Sequence, residues 1–233
     1  MPRFSRRSFL HLSAAASAAA VFHALGEAQM AAAARPAAHG ENAVMIDANE
    51  NPLGPCQSAR DAVSAVLPQG GRYLFDMTHD LATLFAQSEG LDPDWVRATV
   101  GSTPGIVLSV LAFTSSQRSY VTADPGYELG MFAAENSGAR VVKVPLTKTY
   151  AHDVKAMLAA APDAGLFYVC TPNNPTGTLT PHSDIEYLVA NKPKQSVVLV
   201  DEAYIHFSDD QTALDLLKDG KDVIVLRTFS KIY

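Results

Sequence analysis

The chain has 233 residues, 48% of them hydrophobic and 18% charged, with a net charge of −6. That length suits one sizeable domain, and the balance is that of a globular protein rather than a disordered one. No Lys/Arg cluster or basic stripe appears, which argues against a nucleic-acid partner, because phosphate contacts need a concentrated cationic face. The two cysteines, Cys56 and Cys170, lack metal-ligand spacing. Two free thiols, with Cys170 packed at a strand end, is the plainer reading, and a disulfide between them stays open. The histidines are scattered, with no pair one helical turn apart, so no metal site is expected.

The first 34 residues read as an address. Ser5-Arg6-Arg7-Ser8-Phe9-Leu10 is a twin-arginine pattern, and Leu12–Leu25 behind it is Ala-rich and mildly apolar. A membrane span needs about 20 strongly apolar residues, and this stretch falls short. Small residues continue through Ala31–Ala34. Basic, apolar and small-residue regions in that order predict a Tat export signal over residues 1–34, with passage through the Tat machinery to the periplasm and no stable membrane anchor. An Ala-rich helix of the mature fold, or an uncleaved anchor, is the alternative. Residues 35–72 are expected to form a linker and an N-terminal arm, and residues 73–233 the main domain.

From there the pattern alternates. Apolar β-rich runs lie at Ala98–Val100, Tyr120–Ala123, Val141–Val144, Leu166–Cys170, Val197–Val200 and Val223–Leu226. Helical periodicity separates them at Gly105–Ser115, Glu128–Ser137, Asp153–Ala161 and Ser183–Asn191. Pro181, followed by Ser183 and Glu186, marks a helix start. Strands alternating with helices predict an α/β fold, a mostly parallel sheet with helices on both faces. The unbroken apolar run at Val197–Val200 agrees, since a strand buried on both faces does not alternate. Ligands in such sheets bind beyond the carboxyl ends of the strands, so the informative residues should follow the runs.

They do. Thr171-Pro172-Asn173-Asn174-Pro175-Thr176-Gly177 follows one run, Asp201-Glu202-Ala203-Tyr204 the next, and Arg227-Thr228-Phe229-Ser230-Lys231 the last. Alone, the first is a turn, the second a helix cap, and the third uninformative. In that order they resemble the pyridoxal-5′-phosphate (PLP) enzymes of fold type I, aminotransferase class I/II. Ala48-Asn49-Glu50-Asn51-Pro52-Leu53-Gly54-Pro55 is further similar to the N-terminal segment of histidinol-phosphate aminotransferases and their relatives. The resemblance spans roughly Ile46 to Tyr233.

The resemblance implies a three-layer α/β/α large domain that binds PLP, and an enzyme moving an amino group between an amino acid and a 2-oxo acid. It implies that Lys231 carries the cofactor covalently and, once substrate displaces it, moves a proton between substrate and cofactor. Asp201 would pair with the ring nitrogen, keeping it protonated and the ring a good electron sink. Asn174 and Tyr204 would bond the ring's 3′-oxygen. Tyr127 matches an aromatic residue that stacks on the ring, against a plain packing role at a helix start. Ser102 and Thr103, in Gly101-Ser102-Thr103-Pro104-Gly105 between a strand and a helix, and Ser230 would hold the phosphate. Pro104 stands where histidinol-phosphate aminotransferases commonly have an acidic residue, which argues mildly against that specificity. Tyr73, after Arg72, would reach the neighbouring subunit's phosphate, which makes the enzyme a homodimer. Tat exports folded proteins, and that suits a cofactor inserted before export.

The family's arginine shortly after the lysine, and the one that binds substrate carboxylate in a small C-terminal domain, have no counterpart before Tyr233. A C-terminally truncated chain with an incomplete large domain and little of the small one is therefore expected, and such a fragment is expected either to fold poorly or to be inactive by itself. The substrate is expected to be histidinol phosphate or an aromatic-type amino acid. A PLP-dependent decarboxylase or lyase of the same fold is the alternative chemistry, and an inactive exported fragment the third.

Overall fold

The computed structural model describes residues 44–46 and 48–233. The export signal expected at 1–34 and the linker from 35 to 43 lie outside the described residues. Two surface helices come first, α1 (Gln57–Val66) and α2 (Phe75–Glu89). Then follow α3 (Thr103–Phe113), β1 (Ser119–Asp124), α4 (Leu129–Asn136), β2 (Val141–Pro145), α5 (Val154–Ala160) and β3 (Ala164–Cys170). The chain continues with α6 (His182–Asn191), β4 (Val197–Asp201), α7 (Leu214–Lys218) and β5 (Val223–Leu226).

The five strands form one parallel sheet in the order β2-β1-β3-β4-β5. Alternate residues of a strand face opposite sides, and both sides here are covered. Phe167 and Val169 of β3, with Val198 and Val200 of β4, pack under α5, α6 and α7. Leu166, Tyr168 and Cys170, with Leu199, pack under α3 and α4. All seven residues of β3 are buried, which is why their sequence is apolar without alternation. The expected three-layer α/β/α architecture is present. Gly165 lets α3 close onto the sheet, because a Cβ there would run into the Phe113 carbonyl.

Four predicted helices and five predicted strands agree with the structure to within two residues at each end. Asp153 caps α5, its carboxylate accepting from the Ala156 N–H at 3.0 Å. Pro181 is itself the N-cap of α6 and offers no side-chain bond. The predicted strand Ala98–Val100 is a correction: this segment is irregular and pairs with no strand among the described residues. A strand needs a partner's backbone alongside, and a cleft of about 710 Å³ lies instead between Ala98 and Thr99 and the β5 residues Val225 and Leu226. Val100 is accordingly exposed. The helices α1, α2 and α7 went unpredicted. α7 has only five residues, too few for a helical period to register, and α1, though amphipathic, buries no residue.

Parallel strands put every carboxyl end at one rim. The chain leaves β1 for β2 on one side, then returns to lay β3 on the other. Where the direction of winding reverses, the connections part and leave a crevice at the carboxyl ends of β1 and β3.

Candidate active site

Asn173 and Asn174, side by side after β3, divide two tasks. Asn173 is buried, and its side-chain amide donates to the Pro125 carbonyl beyond β1 (3.3 Å) and to Thr176 Oγ1 (2.8 Å). It thereby ties together the two strand ends that flank the crevice. Gly177 closes the turn, donating to the Asn173 carbonyl at 2.6 Å from a left-handed backbone (φ +69°) that favours glycine. Asn174 is left to line a cavity of about 500 Å³ together with Asn49, Tyr204 and Phe207.

Asp201 ends β4. It is 2% exposed, and its carboxylate accepts from the Tyr168 hydroxyl (2.8 Å) and the Ala203 N–H (3.1 Å). Among the described residues no cation lies within ion-pair distance of it. Burial pushes its carboxyl above the usual carboxylate range, against the pull of the Tyr168 and Ala203 hydrogen bonds and the Lys231 charge. Tyr204, three residues on, holds its ring 5.5 Å from Lys231 Nζ. Lys231 Nζ donates to the Asn49 carbonyl at 3.2 Å, and the Asn49 side-chain amide donates to the Tyr204 hydroxyl at 3.0 Å. Thus Asp201, Tyr204, Lys231 and Asn174 stand at one rim, as expected from their places after successive strands, and Asn49 joins them from the far end of the chain.

The other side of the rim is polar in a different way. Ser102, the residue before α3, does not cap that helix with its side chain. It lines the larger cleft together with Thr228 and Ser230, whose hydroxyls are 2.8 Å apart. Hydroxyls gathered at a helix N-terminus suit a dianion. Thr103 is the first residue of α3, and Tyr127 packs, half-buried, against the core beneath α3 and α4. Tyr73 stands apart: it is 88% exposed and stacks on Phe75 with ring centres 5.3 Å apart. Cys56 and Cys170 are free thiols, the second buried.

Three features escaped the sequence. Tyr168 is an ordinary strand residue until the sheet sets it beside Asp201. Glu202 is buried directly behind the site and pairs with Arg227 at 2.7 Å. His152 is buried against the Cys170 backbone, 3.2 Å from its carbonyl and 3.3 Å from its N–H. Only Glu202 left a signal, since a charged residue beside Asp201 in a buried strand end needs a partner.

A three-layer α/β/α domain with Asn, Asp-x-x-Tyr and Ser-Lys on successive carboxyl ends defines a PLP-transferase architecture. The family model for aminotransferase class I and II matches residues 41–233, and the chain belongs to that family. It is 37% identical over 201 residues to an aromatic amino acid aminotransferase of Cutibacterium acnes, covering 84% of this chain and 57% of that one. It is likewise 37% identical over 194 residues to a histidinol-phosphate aminotransferase of Symbiobacterium thermophilum, covering 82% and 53%. The crystal structure of histidinol-phosphate aminotransferase from Sinorhizobium meliloti in complex with pyridoxal-5′-phosphate superposes with a TM-score of 0.74 at 28% identity, over 79% of this chain and 51% of that one. The chain thus spans about half the length of the curated relatives it matches.

The residues present fit the cofactor that the family implies. A buried carboxylate without a counter-cation is what a protonated ring nitrogen completes. A lysine amine lies on the same rim, and a hydroxyl cluster at a helix N-terminus lies on its far side.

Proposed function

We propose that this chain forms the PLP-binding part of an aminotransferase that moves an amino group between an amino acid and a 2-oxo acid. The observation that carries the reading is the convergence of Asp201, Tyr204 and Lys231 at adjacent strand ends, with Asp201 buried and short of a cation. PLP, when bound, supplies an electron sink for the carbanion at the substrate's α-carbon. Lys231 holds the cofactor and, when free, moves the proton at that carbon. Asp201 keeps the ring nitrogen protonated by supplying the opposite charge in a site where water is excluded. Tyr204 and Asn174 would orient the ring through hydrogen bonds, Tyr127 would pack against it, and Ser102, Thr103 and Ser230 would hold the phosphate.

The substrate is an aromatic-type amino acid or histidinol phosphate, a choice supported by the two kinds of relative matched at similar identity. We infer a homodimer as well, supported by the exposed Tyr73–Phe75 stack, which offers an aromatic anchor to a second subunit. Export through the Tat pathway rests on Arg6-Arg7 and the apolar and small-residue stretches behind it. Replacing both arginines by lysine should keep the protein in the cytoplasm.

The test of the site is borohydride reduction of the full-length chain after incubation with PLP, followed by peptide mass mapping. A pyridoxyl group on the peptide containing Lys231 is expected. Its absence there, or its appearance on another lysine with Lys231 unmodified, defeats the reading. Product analysis with aromatic amino acids, histidinol phosphate and 2-oxoglutarate then tests the reaction.

A further inference from the structure

Residues 48–55 form a motif in the sequence, yet the chemistry above gives them no task. In the structure they fold back over the rim. The segment is stiffened by its own turn, in which Gly54 N–H donates to the Asn51 carbonyl (3.1 Å) and Leu53 N–H to Asn51 Oδ1 (3.0 Å). Asn51 Nδ2 also donates to the Ile232 carbonyl at 3.3 Å, which pins the turn to the residue after Lys231. So braced, Asn49 reaches two functional side chains that are 155 and 182 residues away in sequence.

The direction of the Asn49–Tyr204 bond matters. A phenol has one hydrogen to give and lone pairs to receive with. The Asn49 amide donates to the Tyr204 oxygen at 3.0 Å, so a lone pair is occupied and the phenolic hydrogen is free to point elsewhere. Asn49, Asn174 and Tyr204 line the same cavity, and that is the space the hydrogen can serve. We propose that Asn49 is a positioning residue that fixes Tyr204 as a hydrogen-bond donor toward the oxygen of the bound cofactor. The inference rests on the cofactor reading above. It assigns the N-terminal motif a role through Tyr204 and gives Asn49 no contact with the reacting atoms.

A donor role and a packing role predict opposite rankings for two substitutions. Asp has the shape of Asn but presents only acceptors. A carboxylate at position 49 would take the Tyr204 hydrogen and turn the phenol's lone pairs to the cavity. The measurement is the dissociation constant of PLP for the full-length chain, read by absorbance titration, with borohydride trapping on Lys231 as a second readout. Asn49→Ala should weaken binding about fivefold, the worth of one modest hydrogen bond at an exposed site. Asn49→Asp should weaken it about tenfold or more, beyond the Ala variant, because it reverses the bond rather than deleting it. In a Tyr204→Phe background the gap between the two variants should shrink to what the added charge beside Lys231 contributes, since no hydroxyl remains to be turned, and a gap as wide as in the Tyr204 background overturns the inference. If Asn49→Asp binds PLP as well as or better than Asn49→Ala, as an isosteric packing residue would, the inference is overturned. If the unsubstituted chain takes up no PLP on Lys231, the cofactor reading falls and this one with it. Uptake by the unsubstituted chain with indistinguishable variants overturns the role of Asn49 alone.

Discussion

Glu202 is 1% exposed, and three donors hold its carboxylate: Arg227 Nε at 2.7 Å, Thr212 Oγ1 at 2.7 Å and the Ala213 N–H at 2.6 Å. Arg227 spreads its remaining nitrogens to Thr212 Oγ1 (2.9 Å) and His206 Nε2 (3.2 Å). The pair joins the residue after Asp201 to a residue four before Lys231, and so braces the two strand ends that carry the proposed chemistry. Arg227→Met keeps much of the side chain's bulk and removes its charge. Glu202 would then be a buried carboxylate with only neutral donors. Breaking a buried pair from one side costs about 3–5 kcal/mol, most of it the uncompensated charge. For a chain of this size that lowers the thermal midpoint by roughly 6–20 °C. Glu202→Gln removes the charge from the other side, so the double variant leaves no orphaned ion. It should be more stable than Arg227→Met alone, with a coupling of about 1.5 kcal/mol or more across the cycle. Urea and thermal unfolding of the four proteins at pH 7, followed by far-ultraviolet circular dichroism, measures this. A loss below about 1 kcal/mol for Arg227→Met, or additive single effects, would refute the claim that the pair carries a buried charge between the strands.

Three further outcomes follow from the same packing. Burial holds the His152 imidazole down at about 4, below its ordinary value of about 6.5. As pH falls below that ordinary value, the unfolded chain takes up a proton that the folded site refuses until about pH 4. Stability should therefore fall across that window, by up to roughly 3 kcal/mol, and His152→Gln should flatten the dependence of the urea midpoint between pH 7 and 4.5. Asp201→Asn should leave the cofactor-free protein at pH 7 as stable as before or more so, by about 1 kcal/mol, while weakening PLP binding, because it removes a buried charge that only the cofactor completes. Loss of stability together with unchanged PLP affinity would contradict that account. Gly165→Ala should destabilise by about 3 kcal/mol or more, since the methyl meets the Phe113 backbone rather than a yielding side chain. Gly105→Ala meets only the end of the Leu226 side chain and should cost less.

Five strands, four of the helices and the chain order of the candidate site residues are readable in the amino-acid pattern. Val197–Val200 and Leu166–Cys170 read as strands because residues covered on both faces are apolar without interruption, and the structure buries nearly all of them. That Asn174, Asp201, Tyr204, Ser230 and Lys231 share one rim follows from the parallel sheet, which carries whatever follows each strand to the same edge, while the choice of these residues among their neighbours came from the resemblance of the three motifs to a family. Local pattern could not tell that Ala98–Val100 would lack a neighbour, since pairing depends on what lies alongside and not on the residues themselves. Nor could it show that Asn173 ties two strand ends while Asn174 faces the cavity, because adjacent identical side chains differ only in where the turn points them. The contacts of Asn49 with Tyr204 and Lys231, of Tyr168 with Asp201, and of Glu202 with Arg227 were decided by the tertiary structure alone. Each joins residues 25 or more apart in sequence. Their approach is fixed by sheet order and by a returning N-terminal segment, neither of which leaves a periodicity in the chain.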